Sequence, residues 1–274
     1  AAISGSYFEE VHAIDYLVYA YLQNGNNQLA EEQYNLIKNQ KKLYPAALFA
    51  IIYPLAIVPA RLALENKDWK RAASLELQEA DFNWEEFPWE EAIHHFAVAM
   101  GAVNTKDFKT VEDKIEILKK LHQNLIDLND NTKAIQIKQV KIQIKTVQAW
   151  LSFRKNDLKN GLILMKEAVE IENQTSKHPI TPGDVLPAIE MLGDMLLEMN
   201  NPKEALLAYE ENLKMHPNRF NGIYGAAVAS KKSSDTKKTT FYFNKLIELT
   251  IKSNSERAEI IEAKTFLKIK EQSI

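Results

Sequence analysis

The sequence predicts an all-α protein built from antiparallel helix hairpins. Of its 274 residues, 46% are hydrophobic and 26% are charged, which are ordinary values for a chain that folds around a core. Only 8 Gly and 9 Pro are present, about half their average share, so we expect few turns with positive φ. In addition, small and large residues recur at fixed offsets, which predicts that pairs of helices repeat along the chain.

Charge and hydropathy exclude several classes of partner. Lys and Arg number 34 against 37 Asp and Glu, a formal charge of -3, so we expect no nucleic-acid partner. The absence of cysteine excludes disulfides, thiolate metal sites and cysteine nucleophiles. The most apolar run, residues 46–60, is shorter than the ~18 residues of a membrane helix and contains Pro54 and Pro59. It predicts a buried helix and no membrane span, and no feature of the sequence identifies a compartment.

The clearest repeat unit covers residues 186–219. Counted from its first residue, Gly193 stands at position 8, Ala205 at position 20 and Tyr209 at position 24. Small residues at positions 8 and 20 are expected where two antiparallel helices approach closely, with the large ring filling the space beside them. Pro202 is expected to begin the second helix of the pair.

The same register continues through residues 220–253 and recurs irregularly over 7–172. The residues predicted at position 20 are Ala30, Ala72, Val111, Gly161, Ala205 and Thr239, and the turns predicted before the first four are Gly25-Asn26, Lys67-Asp68, Lys106-Asp107 and Asn156-Asp157. The amphipathic segment 255–270 is expected to cap the last hairpin. Residues 1–274 are therefore predicted to form a single domain of about six hairpins plus a C-terminal capping helix.

This register resembles the tetratricopeptide repeat family. Its pattern W-x2-L-G-x2-Y, A-x3-F, P is matched by Leu192, Gly193, Leu196, Ala205, Tyr209 and Pro217, but not by Ile189 at the Trp position or by Asn212 at position 27. The resemblance implies a right-handed superhelical solenoid with a concave groove. The order of HAIDYLVYAYLQ, FPW and KHPITPG along the chain is also similar to the C-terminal half of a group of uncharacterised bacterial proteins of this family. That similarity implies no established activity, and it suggests further helical repeats upstream.

The resemblance also nominates the groove residues, because in this family the first helix of each hairpin lines the concave surface. The candidates are His12, Asp15, Tyr19, Arg61, Trp150, Arg154, Glu190 and Asp194. An arginine beside an aromatic residue is a reasonable anchor for a peptide or a carboxylate. Alternatively, Arg61 simply pairs with Glu65 one helical turn away. One histidine and one carboxylate, His12 and Asp15, are too few for a closed metal site, so we predict no metal and no cofactor.

Two insertions between hairpins stand out. Residues 77–91 combine six acidic residues with four aromatic ones, which predicts either a hydrophobic plug between hairpins or an exposed surface for a partner. Residues 173–185 contain His178 and two prolines. This insertion is expected to fold as a stiff loop over the groove or to brace two hairpins.

The sequence predicts a non-catalytic scaffold that binds a peptide or protein partner in the groove. Nucleophile-elbow, phosphate-loop, zinc-protease and dinucleotide motifs are all absent from it. The alternative is a small-ligand or metal-binding receptor or enzyme with its site around His12, Asp15, Tyr19 and the His178 loop. Self-association through the uncapped first helix is a third possibility.

Overall fold

A computed structural model describes residues 6–38, 43–44, 49–79, 82–178, 180–182, 184–253 and 255–271. The helices are α1 (Phe8–Gln23), α2 (Asn27–Ile37), α3 (Phe49–Glu65), α4 (Trp69–Ala73), α5 (Pro88–Asn104), α6 (Phe108–Asp127), α7 (Ala134–Arg154), α8 (Leu158–Asn173), α9 (Ala188–Glu198), α10 (Pro202–Met215), α11 (Phe220–Lys232), α12 (Thr236–Thr250) and α13 (Ala258–Glu271). Single 3-10 turns lie at Trp84–Glu86 and Asn131–Lys133, and β1 (Ser6–Tyr7) pairs in parallel with β2 (Leu43–Tyr44). The predicted all-α class is confirmed.

Consecutive helices form hairpins, and the same type of turn joins the two helices of each hairpin. Between α5 and α6, Lys106 has a φ of 65°, and the N–H groups of Lys106 and Asp107 donate to the oxygens of Val103 and Ala102. The Asp107 side chain then accepts from the N–H of Thr110, 3.2 Å away. The residue that completes the C-terminal cap of one helix is therefore also the N-cap of the next.

The prediction of few turns with positive φ is wrong. In the described chain such a residue precedes the second helix of every hairpin: Gly25, Lys67, Lys106, Asn156, Asn200 and Ser234. Only one of these six residues is glycine, so the low glycine content did not indicate how many turns have a positive φ. The two main-chain hydrogen bonds of each turn offset the left-handed conformation, which costs an ordinary residue about 1 kcal/mol. The four turns predicted from sequence are confirmed.

Burial follows the predicted register. Within the described chain the position-20 residues Ala30, Ala72, Val111, Gly161, Ala205 and Thr239 are all buried. A Cβ atom added to Gly193 would lie 2.8 Å from the Tyr209 ring, and one added to Gly225 would lie 2.4 Å from it. The ring of α10 is thus enclosed by α9 and α11, which approach it closely because both carry glycine. Pro202 begins α10, as predicted.

The helices divide into two compact units. The first comprises Ala1–Tyr19 and Ala30–Ala188, and the second comprises Ala20–Leu29 and Ile189–Ile274. In the first, α5 packs against α3, α4, α6 and α7, and α7 packs against α8. In the second, α10 to α13 pack in chain order, and the last turn of α1 joins them because the Gln23 side chain accepts from the N–H of Phe220 at 2.9 Å.

The final helix lies where the sequence predicts it. Helix α13 packs against α12, with the rings of Phe243 and Phe266 5.2 Å apart. The single domain over 1–274 and the superhelical arrangement of the hairpins stay predictions.

Candidate functional site

An irregular segment between α8 and α9 crosses the first helices of several hairpins in the first unit. We call this segment, residues 174–187, the strap; its Pro179 and Gly183 lie outside the described residues. The Tyr16 hydroxyl of α1 donates to the Ile180 carbonyl at 2.7 Å. Arg61 of α3 donates to the Asp184 carbonyl at 3.1 Å, and Gln139 of α7 donates to the Asp184 side chain at 2.9 Å. The insertion thus crosses and braces the helices α1, α3 and α7.

Aromatic side chains of α3 and α5 form a platform beneath the strap. The His178 ring lies 5.2 Å from the Trp89 ring and 5.4 Å from the Phe49 ring, and Trp89 in turn stacks on Tyr53 at 4.9 Å. Burial lowers the pKa of His178, and the nearby charge of Lys133 lowers it further. The imidazole is therefore neutral at pH 7 and packs as an aromatic ring.

The aromatic residues of the insertion 77–91 pack against one another. Phe82 packs edge-on against Trp84 and Phe87, with ring centroids 5.0 and 5.4 Å apart. The Trp84 indole donates to the Gln78 carbonyl at 3.0 Å. In the described part of 77–91, which lacks 80 and 81, these three rings are half-buried, whereas Trp89 is buried against Tyr53 of α3 and so has the role of the predicted plug.

A buried ion pair supports the strap from below. The Arg61 Nε lies 3.5 Å from Asp15 Oδ1, and both side chains are fully buried. The Tyr19 ring lies 5.0 Å from the guanidinium carbon of Arg61. Burial raises the pKa of Asp15, while the charges of Arg61 and His12 oppose that rise. The pair joins α1 to α3 and holds Arg61 beside the strap. Burial lowers the pKa of Arg61, but the charges of Asp15 and of Glu65, the alternative partner that the sequence offered, raise it.

The other predicted residues of this unit lie on α1 and at the end of α7. The His12 ring packs edge-on against Tyr16 at 5.3 Å. The Arg154 guanidinium lies 4.8 Å from the Trp150 ring and donates to Asn104 at 2.8 Å. Trp150 itself is buried, with 3% of its surface exposed. The structure thus groups Asp15, Tyr19 and Arg61 with the strap, and it pairs Trp150 with Arg154.

Glu190 and Asp194 belong to the second unit. The Glu190 carboxylate is buried and accepts from Arg219 at 2.9 and 2.8 Å and from Asn212 at 2.9 Å. The Tyr209 hydroxyl donates to Asp194 at 2.6 Å. Sequence reasoning missed Arg219, but Asn212 carried a signal, because it departs from the small residue expected at position 27. The Asn212 amide instead donates to the buried carboxylate of Glu190.

A cavity of about 30 Å³ lies between α3, α5, α7, α8 and the strap. Its lining includes Tyr53, Trp89, Phe96, Gln139, Gln143, Glu172 and Asp184. Most of these residues were not predicted as site residues. Gln139 and Gln143 are one turn apart on α7, but only the packing of α3, α5, α8 and the strap around that turn encloses their amides.

The described residues contain no group of three or more His, Cys, Asp or Glu placed to hold a metal ion. His94 and His95 are both buried, and His95 lies 3.3 Å from the Glu91 carboxylate. Burial lowers the pKa of His94 to about 3, with a further contribution from His95. The two rings therefore pack in the interior of the first unit.

In the part of the chain that the structure describes, no helix is both long enough and apolar enough to cross a bilayer. Neither a scan of protein-family models nor a search of the curated proteins gives a match to this chain.

Proposed function

We propose that the protein is a non-catalytic scaffold that binds an extended segment of a peptide or protein partner along the first helices of its first unit. One observation carries this proposal. The strap, a segment without helix or strand, is held there through its main-chain carbonyls by Tyr16 and Arg61. The face therefore has donors suited to an irregular polypeptide.

The contacts explain how such a face accepts a range of sequences. Every peptide segment has carbonyl oxygens, so donors directed at them do not select side chains. Arg61 is oriented by Asp15 and Tyr19 in the folded protein, which reduces the entropy lost on binding. Selectivity comes from the aromatic platform, where the strap places His178 on Trp89.

We also propose that the hairpins stack as a solenoid. The shared turn of the hairpins and the buried small residues at positions 8 and 20 support a solenoid of the tetratricopeptide type. The absence of enzyme motifs supports a scaffold over a catalyst. A partner would replace or extend the contacts of the strap.

A full-length variant whose strap is replaced by a Gly/Ser linker of equal length tests the proposal. A fluorescein-labelled peptide with the sequence of residues 174–187 should bind this variant saturably in an anisotropy titration. Unmodified protein should bind the peptide much more weakly, because its own strap competes at an effective concentration in the millimolar range.

Two peptide variants serve as matched controls. His178→Ala removes the ring that lies on Trp89 and should weaken binding about tenfold, the equivalent of about 1.4 kcal/mol. Ser176→Ala changes an exposed residue and should leave the affinity unchanged. If the linker variant has the circular dichroism of the folded protein yet binds no peptide at 1 mM, the scaffold proposal is wrong.

The second candidate is the small-ligand receptor around His12, Asp15, Tyr19 and the His178 loop. Its support is the closeness of Asp15 and Tyr19 to Arg61, since the described lining of the cavity beneath the strap includes neither of them nor His12 or His178. Self-association through α1 stays a prediction that light scattering at high concentration would test.

A further inference from the structure

We propose that the cavity beneath the strap binds a single ammonium group. This inference goes beyond the scaffold function and does not depend on it. It rests on the size of the cavity, the unpartnered acceptors in its lining and the charge and aromatic character of its walls.

Size restricts the ligand to one small group. The cavity volume of about 30 Å³ accommodates one or two water molecules. An ammonium ion, or the terminal ammonium of a primary amine, is about the size of water.

The lining offers hydrogen-bond acceptors that lack donors. The Gln139 amide nitrogen is bonded to Asp184, which leaves its Oε1 as an acceptor without a partner. Gln143 is 8% exposed, and its Oε1 is also buried without a partner. Buried amide oxygens of this kind require donors. An ammonium group supplies only donors, whereas a water molecule also needs donors for its own oxygen.

Charge points to the same ligand. The lining contains the carboxylates of Glu172 and Asp184 but no Lys or Arg among its residues. The nearby Arg61 is already matched by the buried Asp15. A cation in the cavity would therefore be attracted by two carboxylates.

The aromatic walls distinguish an ammonium group from a metal ion. Tyr53, Trp89 and Phe96 line one part of the cavity. Ring faces attract ammonium groups through their quadrupole. Calcium and magnesium instead require six or more oxygen ligands, often including water. The mixed aromatic and amide lining thus suits an ammonium group better than calcium or magnesium.

Thermal denaturation of the full chain tests this site. Ammonium chloride, compared with sodium chloride at equal ionic strength, should raise the Tm saturably by about 3 °C at ten times its Kd. Gln143→Leu should abolish the rise. Gln136→Leu is the matched control, because it also removes a buried unpartnered amide oxygen of α7 but does not line the cavity.

Further ligands distinguish a site for the free ammonium ion from a site for the ammonium group of a lysine side chain. A response to both ammonium and n-butylamine indicates a site open to a lysine side chain, and a response to ammonium alone indicates a closed ion site; both support the proposal. An equal response to potassium chloride, or a response retained by Gln143→Leu, overturns it. So does the absence of any ammonium response.

If Gln143→Leu fails to fold, Asp184→Asn provides the same test, since it removes one of the two carboxylates of the lining. A response of Asp184→Asn equal to that of the unmodified protein then overturns the proposal. The outcome is separate from that of the peptide titration, because it is measured with the strap in place.

Discussion

Gly225 lies where the second unit has no room for a side chain. An added Cβ would lie 2.4 Å from the Tyr209 ring, under the 3.0 Å that Cβ atoms essentially never cross. The ring has little space to move, because a Cβ position at Gly193 also lies 2.8 Å from it. Gly225→Ala should therefore force α10 and α11 apart or displace the tyrosine.

Opposing effects set the size of the change. Alanine in place of glycine within a helix favours folding by about 1 kcal/mol. Overpacking of a filled core costs roughly 1–3 kcal/mol, and displacement of Tyr209 weakens its hydrogen bond to Asp194, at a cost of about 1 kcal/mol. The sum predicts that Gly225→Ala lowers the free energy of unfolding by about 2 kcal/mol.

Urea denaturation followed by far-ultraviolet circular dichroism measures this change. Tryptophan fluorescence would report on the first unit, because Trp69, Trp84, Trp89 and Trp150 all lie there. A double-mutant cycle with Tyr209→Leu isolates the clash. In that background Gly225→Ala should be neutral or stabilising.

Either of two results would show that the Gly225 position does not clash with the Tyr209 ring. One is a stabilisation of about 1 kcal/mol by Gly225→Ala alone, which is the value expected from helix propensity without a clash. The other is an equal destabilisation in both backgrounds, since the cost would then be independent of the Tyr209 ring.

Three further substitutions test the charges and caps. Glu190→Gln leaves the buried guanidinium of Arg219 without its carboxylate and should lower the free energy of unfolding by about 3–5 kcal/mol in urea. Burial raises the pKa of Glu90 to about 7 from 4.5, so the folded state retains a proton that the unfolded state releases. Wild-type stability due to this group should fall as pH rises from about 4.5 to 7, and Glu90→Gln should gain about 2–3 kcal/mol relative to wild type between pH 5 and 8. Asp157→Ala removes the side-chain acceptor for the Asn160 N–H and should cost about 1 kcal/mol in thermal denaturation.

Each of these has a control. Glu262→Gln removes the half-buried partner of the exposed Lys231 and should cost under about 1 kcal/mol, so an equal loss from Glu190→Gln would contradict the role of burial. A difference between Glu90→Gln and wild type that is constant with pH would show that Glu90 does not titrate in this range. Asp157→Asn retains the acceptor and should behave as wild type.

The hairpins could be predicted because their determinants are local. Ala205 and Tyr209 lie within one unit of 34 residues with Gly193, so a fixed register places all three at the same helix contact. The turns were predicted from the same register, which places them just before the second helix of each unit. The positive φ of the turn residues was missed because Lys106 and Asn156, unlike glycine, are not residue types that indicate a left-handed conformation.

The candidate site was predicted less well. Helical periodicity placed Asp15 and Tyr19 on one face of α1, but it does not state which helix or loop packs against that face. The structure places Arg61 against both. Gln139 and Gln143 were missed, because an amide becomes informative only when its burial and its partners are known.

The amino-acid sequence by itself determined the helical class, the hairpin turns and the small residues at the helix contacts. Each depends on interactions within a few tens of residues, where spacing translates directly into geometry. Only the tertiary structure decided that the strap crosses the first helices, that Asp15 meets Arg61 and that Glu190 meets Arg219. Those contacts join residues distant along the chain, and the free energy of burying a charge depends on the partner it meets there.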